Sequence, residues 1–169
     1  MRKLFLYGLL VILSISVYAC ESPKPELIKS WPLDSAEGVL DAEKVELDKD
    51  VTNDGHGSLR ITAEKNTRVS LYQTEVDLED AQLIYSAMLR TENIQGKAYL
   101  EMWCFFEGKG EFFSRALHAP LMADTDWTEQ QTPFFLKEGE NPDQVRLNLV
   151  IEGKGTIWID DIRLLKAPL

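Results

Sequence analysis

Apolar and polar side chains alternate along most of the chain with the period of two that marks a strand buried on one face. The pattern is cleanest near the C-terminus, where Val145, Leu147, Leu149 and Ile151 alternate with Arg146, Asn148, Val150 and Glu152. Gly153-Lys154-Gly155 follows, two glycines within three residues, which suits a turn that needs positive φ. Beyond it the apolar phase runs through Ile157 and Ile159, skips, and resumes at Ile162 and Leu164. The pattern therefore predicts a closing hairpin from Val145 to Leu165, with a β-bulge in its second arm at Asp160 and Asp161.

Other strands are expected at Lys44 to Asp48, around Leu59, Ile61 and Ala63, and at Arg68 to Thr74. More follow at Leu83 to Arg90, Ala98 to Phe106, Phe112 to Leu117 and Trp127 to Leu136. Pro133 interrupts the last of these and places it at a bulge or an edge. Glycine-rich breakers such as Asn53-Asp54-Gly55-His56-Gly57 separate the runs, and helix-period signals are weak throughout. Short strands at this spacing predict an all-β sandwich.

The first residues follow different rules. Arg2 and Lys3 precede an apolar run from Leu4 to Val17, and Val17-Tyr18-Ala19-Cys20 closes it. This resembles a bacterial lipoprotein signal: residues 1–19 would be removed and Cys20 would carry the lipid. An ordinary secretory peptide and a retained span are the alternatives, although the run is shorter than the roughly 20 residues a bilayer needs. Residues 20–30, twice interrupted by proline, read as anchor and tether, and 31–169 as one domain.

The net charge is −10, and loss of Arg2 and Lys3 would carry it lower still. That argues against nucleic acid and against adhesion to anionic head groups, so a place on the membrane must come from the lipid anchor. With Cys20 acylated, Cys104 would be the only free thiol. Flanked by Trp103 and Phe105, it reads as a small buried hydrophobe. His56 and His118 form no metal-ligand or triad spacing.

Gly57 to Ile61 (GSLRI), Tyr85 to Arg90 (YSAMLR), the run AYLEMW, Asp126-Trp127 and the closing GTIWIDDIRL together resemble carbohydrate-binding modules of the family 4, 9 and 22 type. The resemblance spans about Trp31 to Leu165. It implies a galactose-binding-like jelly-roll β-sandwich of two antiparallel sheets, a poly- or oligosaccharide ligand on the concave sheet face, and no catalysis. Many members of that fold bind no sugar, so a structural or protein-interaction domain of the cell envelope is the competing reading.

The resemblance also implies a structural Ca²⁺ held by an Asp of the closing motif with backbone carbonyls, since Ca²⁺ takes six to eight oxygen ligands. The matching residue is Asp160, with Asp48 and Asp54 as further contributors. The alternative is that Asp160 caps backbone amides at the bulge.

In Ala98 to Phe106 one face carries Leu100, Met102, Cys104 and Phe106, suited to a sandwich interior. The other carries Tyr99, Glu101, Trp103 and Phe105. Rings beside a carboxylate suit a sugar, whose apolar face packs on aromatics while its hydroxyls bond polar groups. The expected roles are stacking on Trp103 and orientation by Glu101; the alternative is that a loop or the tether covers these rings. Glu101, Glu107 and Glu111 are candidates for the acid and the nucleophile of a glycosidase, but Glu107 and Glu111 flank a Gly-Lys-Gly turn where solvated charge is the default. No phosphate loop and no nucleophile elbow is present. Oligomeric state is not specified by any of these features.

Overall fold

The computed structural model describes residues 24–169, so the expected leader (1–19) and Cys20 lie outside the described residues. Eight strands follow one another: β1 (Glu26–Trp31), β2 (Glu46–Asp48), β3 (Ser58–Ala63), β4 (Thr67–Thr74), β5 (Ala81–Phe106), β6 (Gly110–Arg115), β7 (Thr125–Leu136) and β8 (Gln144–Ala167). The one helical element among the described residues is a 3₁₀ turn at Ala42–Lys44, just before β2.

β5 and β8 are the spine. They pair antiparallel from Gln82 opposite Ala167 to Phe105 opposite Gln144. A straight strand of 26 residues would run roughly 85 Å, whereas a domain of this size has a radius of gyration of about 15 Å. The ribbon therefore has to fold over. It does so where its register shifts between Glu92 and Gln95, opposite the Gly153-Lys154-Gly155 segment. Gly96 and Gly153 face each other there with φ of 124° and 120°. A Cβ on Gly96 would fall 1.9 Å from the carbonyl oxygen of Glu152, and one on Gly153 would fall 2.0 Å from that of Gln95. Only glycine allows this approach.

Folding the ribbon creates two layers. In one, the C-terminal half of β8 pairs with β3 and then β1 on one side and with the first half of β5 on the other, with β2 beyond β3 and β7 beyond β5. In the other, β4, the first half of β8, the second half of β5 and β6 lie in that order. Leu83, Tyr85 and Leu89 from the first layer and Leu100, Met102 and Cys104 from the second share one core with Leu147, Leu149, Ile157 and Ile159, all sealed from solvent. Burying each such large side chain contributes about 1.5 to 3 kcal/mol relative to leaving it exposed. The chain is an all-β jelly roll.

Two expectations need correction. The predicted closing hairpin is not one: both arms belong to the single strand β8, and neither pairs with the other. Glycines with positive φ permit a bend within a strand as readily as a turn between strands, and alternation does not name a pairing partner. The tether is also shorter than expected, because Glu26–Trp31 forms β1, pairing with β8 from Ile162 to Lys166. Its side chains are almost all exposed, so no alternation betrayed it. The bulge is where the apolar phase placed it. Ser86 and Met88 of β5 oppose Arg163 and Asp160, leaving one extra residue on β8, and Asp161 takes φ 49°. β7, which carries Pro133, pairs only with β5 and is an edge.

Candidate functional site: an aromatic and guanidinium platform

Residues directly opposite in an antiparallel ladder share a face. By alternation Tyr99, Glu101, Trp103 and Phe105 of β5 lie on the side opposite Leu100, Met102 and Cys104, although Tyr99 is itself buried within the core cluster. Across the ladders, Glu101 faces Asn148 of β8 and Arg115 of β6, while Trp103 faces Arg146 and Phe113. One strand further, Arg68 of β4 pairs with Val150, and Gln73 with Arg146. The outer face of the second layer thus gathers rings, guanidiniums and amides from four strands.

Trp103 and Phe113 pack with ring centroids 5.0 Å apart, and Phe113 is 49% exposed. Arg115 lies over the Phe113 ring at 4.2 Å, and Arg146 over Phe105 at 4.9 Å. Trp103 and Phe105 are partly exposed, as a contact surface requires.

Tyr99 and Glu101 depart from the expected role. Tyr99 is buried; its hydroxyl donates to Glu152 at 2.7 Å, and Lys97 lies over its ring. Burial first, then the bond to Glu152, pushes the phenol up to about 12. Glu101 is completely buried beneath the surface it was expected to form. Its Oε1 accepts from Asn148 Nδ2 (3.2 Å) and lies 2.9 Å from Arg68 Nε in an ion pair, and its Oε2 accepts from Arg115 Nε (2.6 Å) and Arg68 Nη2 (3.3 Å). A carboxylate so enclosed does not reach a ligand hydroxyl, and it cannot serve as a glycosidase acid or nucleophile. What it does is fix two guanidiniums. Sequence reasoning missed Arg68, Arg115 and Arg146, which only the strand register brings together. The available signal was Glu101 itself, because a carboxylate in a half-buried strand needs cations in its neighbours.

One atom on this face is unsatisfied. Asn148 is 1% exposed; with Nδ2 turned to Glu101, its Oδ1 is buried and accepts no hydrogen bond.

Of the three residues expected at a metal, Asp48 ends β2 and Asp160 lies in β8, both in the other layer, and Asp54 is in the loop between β2 and β3. Asp160 is fully buried at the bulge, accepting from Asn53 N (3.0 Å) and Asp161 N (2.7 Å). Burial first, and then the nearby Asp54 and Asp161 carboxylates, push it up to about 6 against the two amide bonds. Asp48 is otherwise engaged: Oδ2 accepts from Trp158 Nε1 at 2.9 Å, and Oδ1 from the amides of Asp50 and Val51. The Trp158 bond is the main reason its carboxyl sits below the usual range. Asp54 is exposed, with Oδ1 accepting from His56 N. Among the described residues no group of three or more His, Cys, Asp and Glu gathers as a metal cluster.

Comparison with solved structures decides the fold. A xylan-binding CBM22-1 domain of Paenibacillus barcinonensis Xyn10C superimposes with a TM-score of 0.59 at 15% identity, over 89% of this chain and 99% of that one. The chain has the fold of the carbohydrate-binding modules. A family 16 module gives 0.55 at 15% identity over 78% and 95% of the two chains. The C-terminal family 22 module of Clostridium thermocellum Xyn10B gives 0.55 at 10% identity over 83% and 94%. No protein-family profile and no curated protein matches the chain by sequence. At such identities the likeness to these modules is one of fold.

Proposed function

We propose that the chain is a non-catalytic carbohydrate-binding module that takes a poly- or oligosaccharide on the β4-β8-β5-β6 face, carried on a lipid-anchored protein of the bacterial envelope. The observation that supports it is the partly exposed Trp103 and Phe113 pair beside Gln73 and the arginines. Flat apolar surface ringed by convergent hydrogen-bonding groups is what a pyranose ring requires. The structural neighbours of family 22 are themselves xylan-binding domains. Anchorage rests on the sequence around Cys20 alone. The experiment is a glycan array probed with the full chain in detergent. Binding that is lost in Trp103→Ala supports the reading, and silence across the array overturns it.

A structural Ca²⁺ belongs to the same proposal. Asp160 is a buried carboxylate whose partners are two neutral amides and which has further carboxylates for neighbours, so a cation fits its chemistry. Asp160 would hold the ion together with Asp54 and main-chain oxygens. Asp48 fits less well, since Trp158 and two amides occupy it. The ion would supply counter-charge to the fold, with no part in chemistry.

A second reading, a protein-interaction domain, is favoured by a different feature. Phe106, Phe112, Phe134 and Phe135 line a cleft of about 270 Å³ bordered by Lys109, Lys137 and Glu140, with Phe112 and Phe135 half exposed.

A further inference from the structure

We infer that the platform selects a carboxylate-bearing, uronate-containing polysaccharide over neutral ones; the inference rests on the glycan-binding reading of the same face. It comes from a mismatch of charge. The chain as a whole is strongly acidic, at −10, yet this face gathers three guanidiniums, Arg68, Arg115 and Arg146, around a single carboxylate. That carboxylate, Glu101, is sealed below the surface, while the side chains of Arg68 and Arg115 stay 49% and 29% exposed. Three guanidiniums against Glu101 leave a surplus of two positive charges, and one remains after the exposed Glu111 at the β6 edge is counted.

Arg146 shows the surplus best. Its Nε and Nη2 both donate to Gln73 Oε1, at 3.0 and 2.8 Å, so its partner is neutral, and it makes no ion pair among the described residues. Other charges at the rim are largely spent. Asp41, close enough to feel Arg146, already accepts from Lys44 Nζ and Ser70 N, both at 2.8 Å. Glu152 is paired with Lys97 at 3.1 Å; Glu111, exposed opposite Phe105 on the edge strand β6, makes no ion pair among the described residues and offsets part of the surplus.

The arrangement is also preorganised. Phe113 and Phe105 support the guanidiniums of Arg115 and Arg146 from beneath, and Glu101 and Gln73 fix their Nε ends. A guanidinium held this way offers its remaining N–H groups as a planar fork, which matches a carboxylate in two-point contact. A pyranose on Trp103 would place a ring carboxyl among these forks. Neutral hydroxyls would need acceptors as well as donors, and arginine offers only donors. Because the rest of the surface repels polyanions, attraction is confined to this face.

The test uses the full chain in detergent and affinity electrophoresis through gels containing one of three polymers. These are polygalacturonate or alginate, the same polymers with their carboxyls reduced to alcohols, and dextran sulfate. Retardation at least tenfold stronger for the carboxylated polymer than for its reduced form, weakening as salt rises, is the expected result. Arg146→Gln should reduce uronate retardation about tenfold and collapse the preference, with the melting temperature held as evidence of folding. Equal retardation by the carboxylated and reduced forms overturns the inference and leaves the glycan reading standing. Retardation by dextran sulfate as strong as by the uronates also overturns it, as it would show plain polyanion attraction. If no polysaccharide, neutral or charged, retards the chain, the glycan reading itself falls.

Discussion

Arg115 donates its Nε proton to Glu101 at 2.6 Å, and the carboxylate that receives it has no solvent exposure at all. Removing one partner of a buried pair costs more than the pair itself contributes, because the survivor keeps its desolvation penalty. Glu101→Ala should therefore destabilise the domain by about 2 to 3 kcal/mol, moderated by the exposure of both arginines. Arg115→Ala should cost roughly half as much, since Arg68 and Asn148 still hold Glu101. Urea denaturation midpoints check the order. A Glu101→Ala variant as stable as the parent would show that the carboxylate is not what organises the platform.

Trp103 contributes to the surface rather than the interior. Truncating a central aromatic anchor often costs 2 kcal/mol or more of binding, around thirtyfold in Kd. Trp103→Ala should abolish measurable glycan retention while lowering stability by only about 1 kcal/mol, the loss of its contact with Phe113. Calorimetric binding and a thermal melt on the same sample separate the two effects. An unfolded variant would make Trp103 a core residue.

The Gly96 and Gly153 contact makes a sharper claim about folding. A methyl group at either position would overlap a carbonyl oxygen of the facing strand at about the length of a covalent bond and a half, in a φ region that L-residues avoid. Gly96→Ala or Gly153→Ala should cost more than 4 kcal/mol and leave little soluble protein. Gly108→Ala, also at positive φ but with nothing within 4 Å of its new methyl, should cost about 1 kcal/mol. Comparable losses at all three sites would mean that conformation, and not close approach, is what the glycines provide.

How far the sequence carried each of these features depends on the range of the forces involved. Alternation is local, so it exposed the core face of Leu100, Met102 and Cys104 and the skipped beat at Asp160 and Asp161. Pairing is not local. Nothing in Val145 to Leu165 says that its partner is β5, some sixty residues earlier, and so two halves of one strand read as a hairpin. The platform suffered in the same way. Its β5 residues lie two apart in sequence, but Arg68, Arg146 and Arg115 arrive by register from three other strands, and with them Glu101 changes from a ligand contact into the buried centre of a charge cluster.

Cys104 allows a direct check on the core. Burial pushes its thiol up to about 12, and no solvent reaches it. At pH 8 a thiol reagent should modify the native chain no faster than global unfolding exposes the sulfur, and immediately in denaturant. The sign of the pH effect follows. The unfolded thiol loses its proton near its ordinary value of 9.0 while the folded one keeps it, so this group's contribution to stability is intact below about 9 and is lost between there and about 12. Rapid native labelling would show that the sandwich opens at this strand.

The last prediction concerns Asp160. A carboxylate sealed in a bulge with only amide donors is a cost to folding unless a counter-charge arrives, and the neighbouring carboxylates of Asp54 and Asp161 increase that cost. An ion that binds the folded state alone contributes RT ln(1 + [L]/Kd), about 2.7 kcal/mol at a hundredfold excess over Kd. Added Ca²⁺ at that excess should raise the melting temperature of the chelated chain, by roughly 5 to 11 °C for a domain of this size. Asp160→Asn keeps the shape and an acceptor for Asp161 N while removing the charge. It should lose the calcium response and, in chelator, melt close to the parent, because removal of the desolvated charge offsets the loss of the bond from Asn53 N, which would face the new amide nitrogen. A melting curve indifferent to calcium in the parent chain would reduce Asp160 to a cap on the bulge, holding the Asn53 turn against β8 by hydrogen bonds alone.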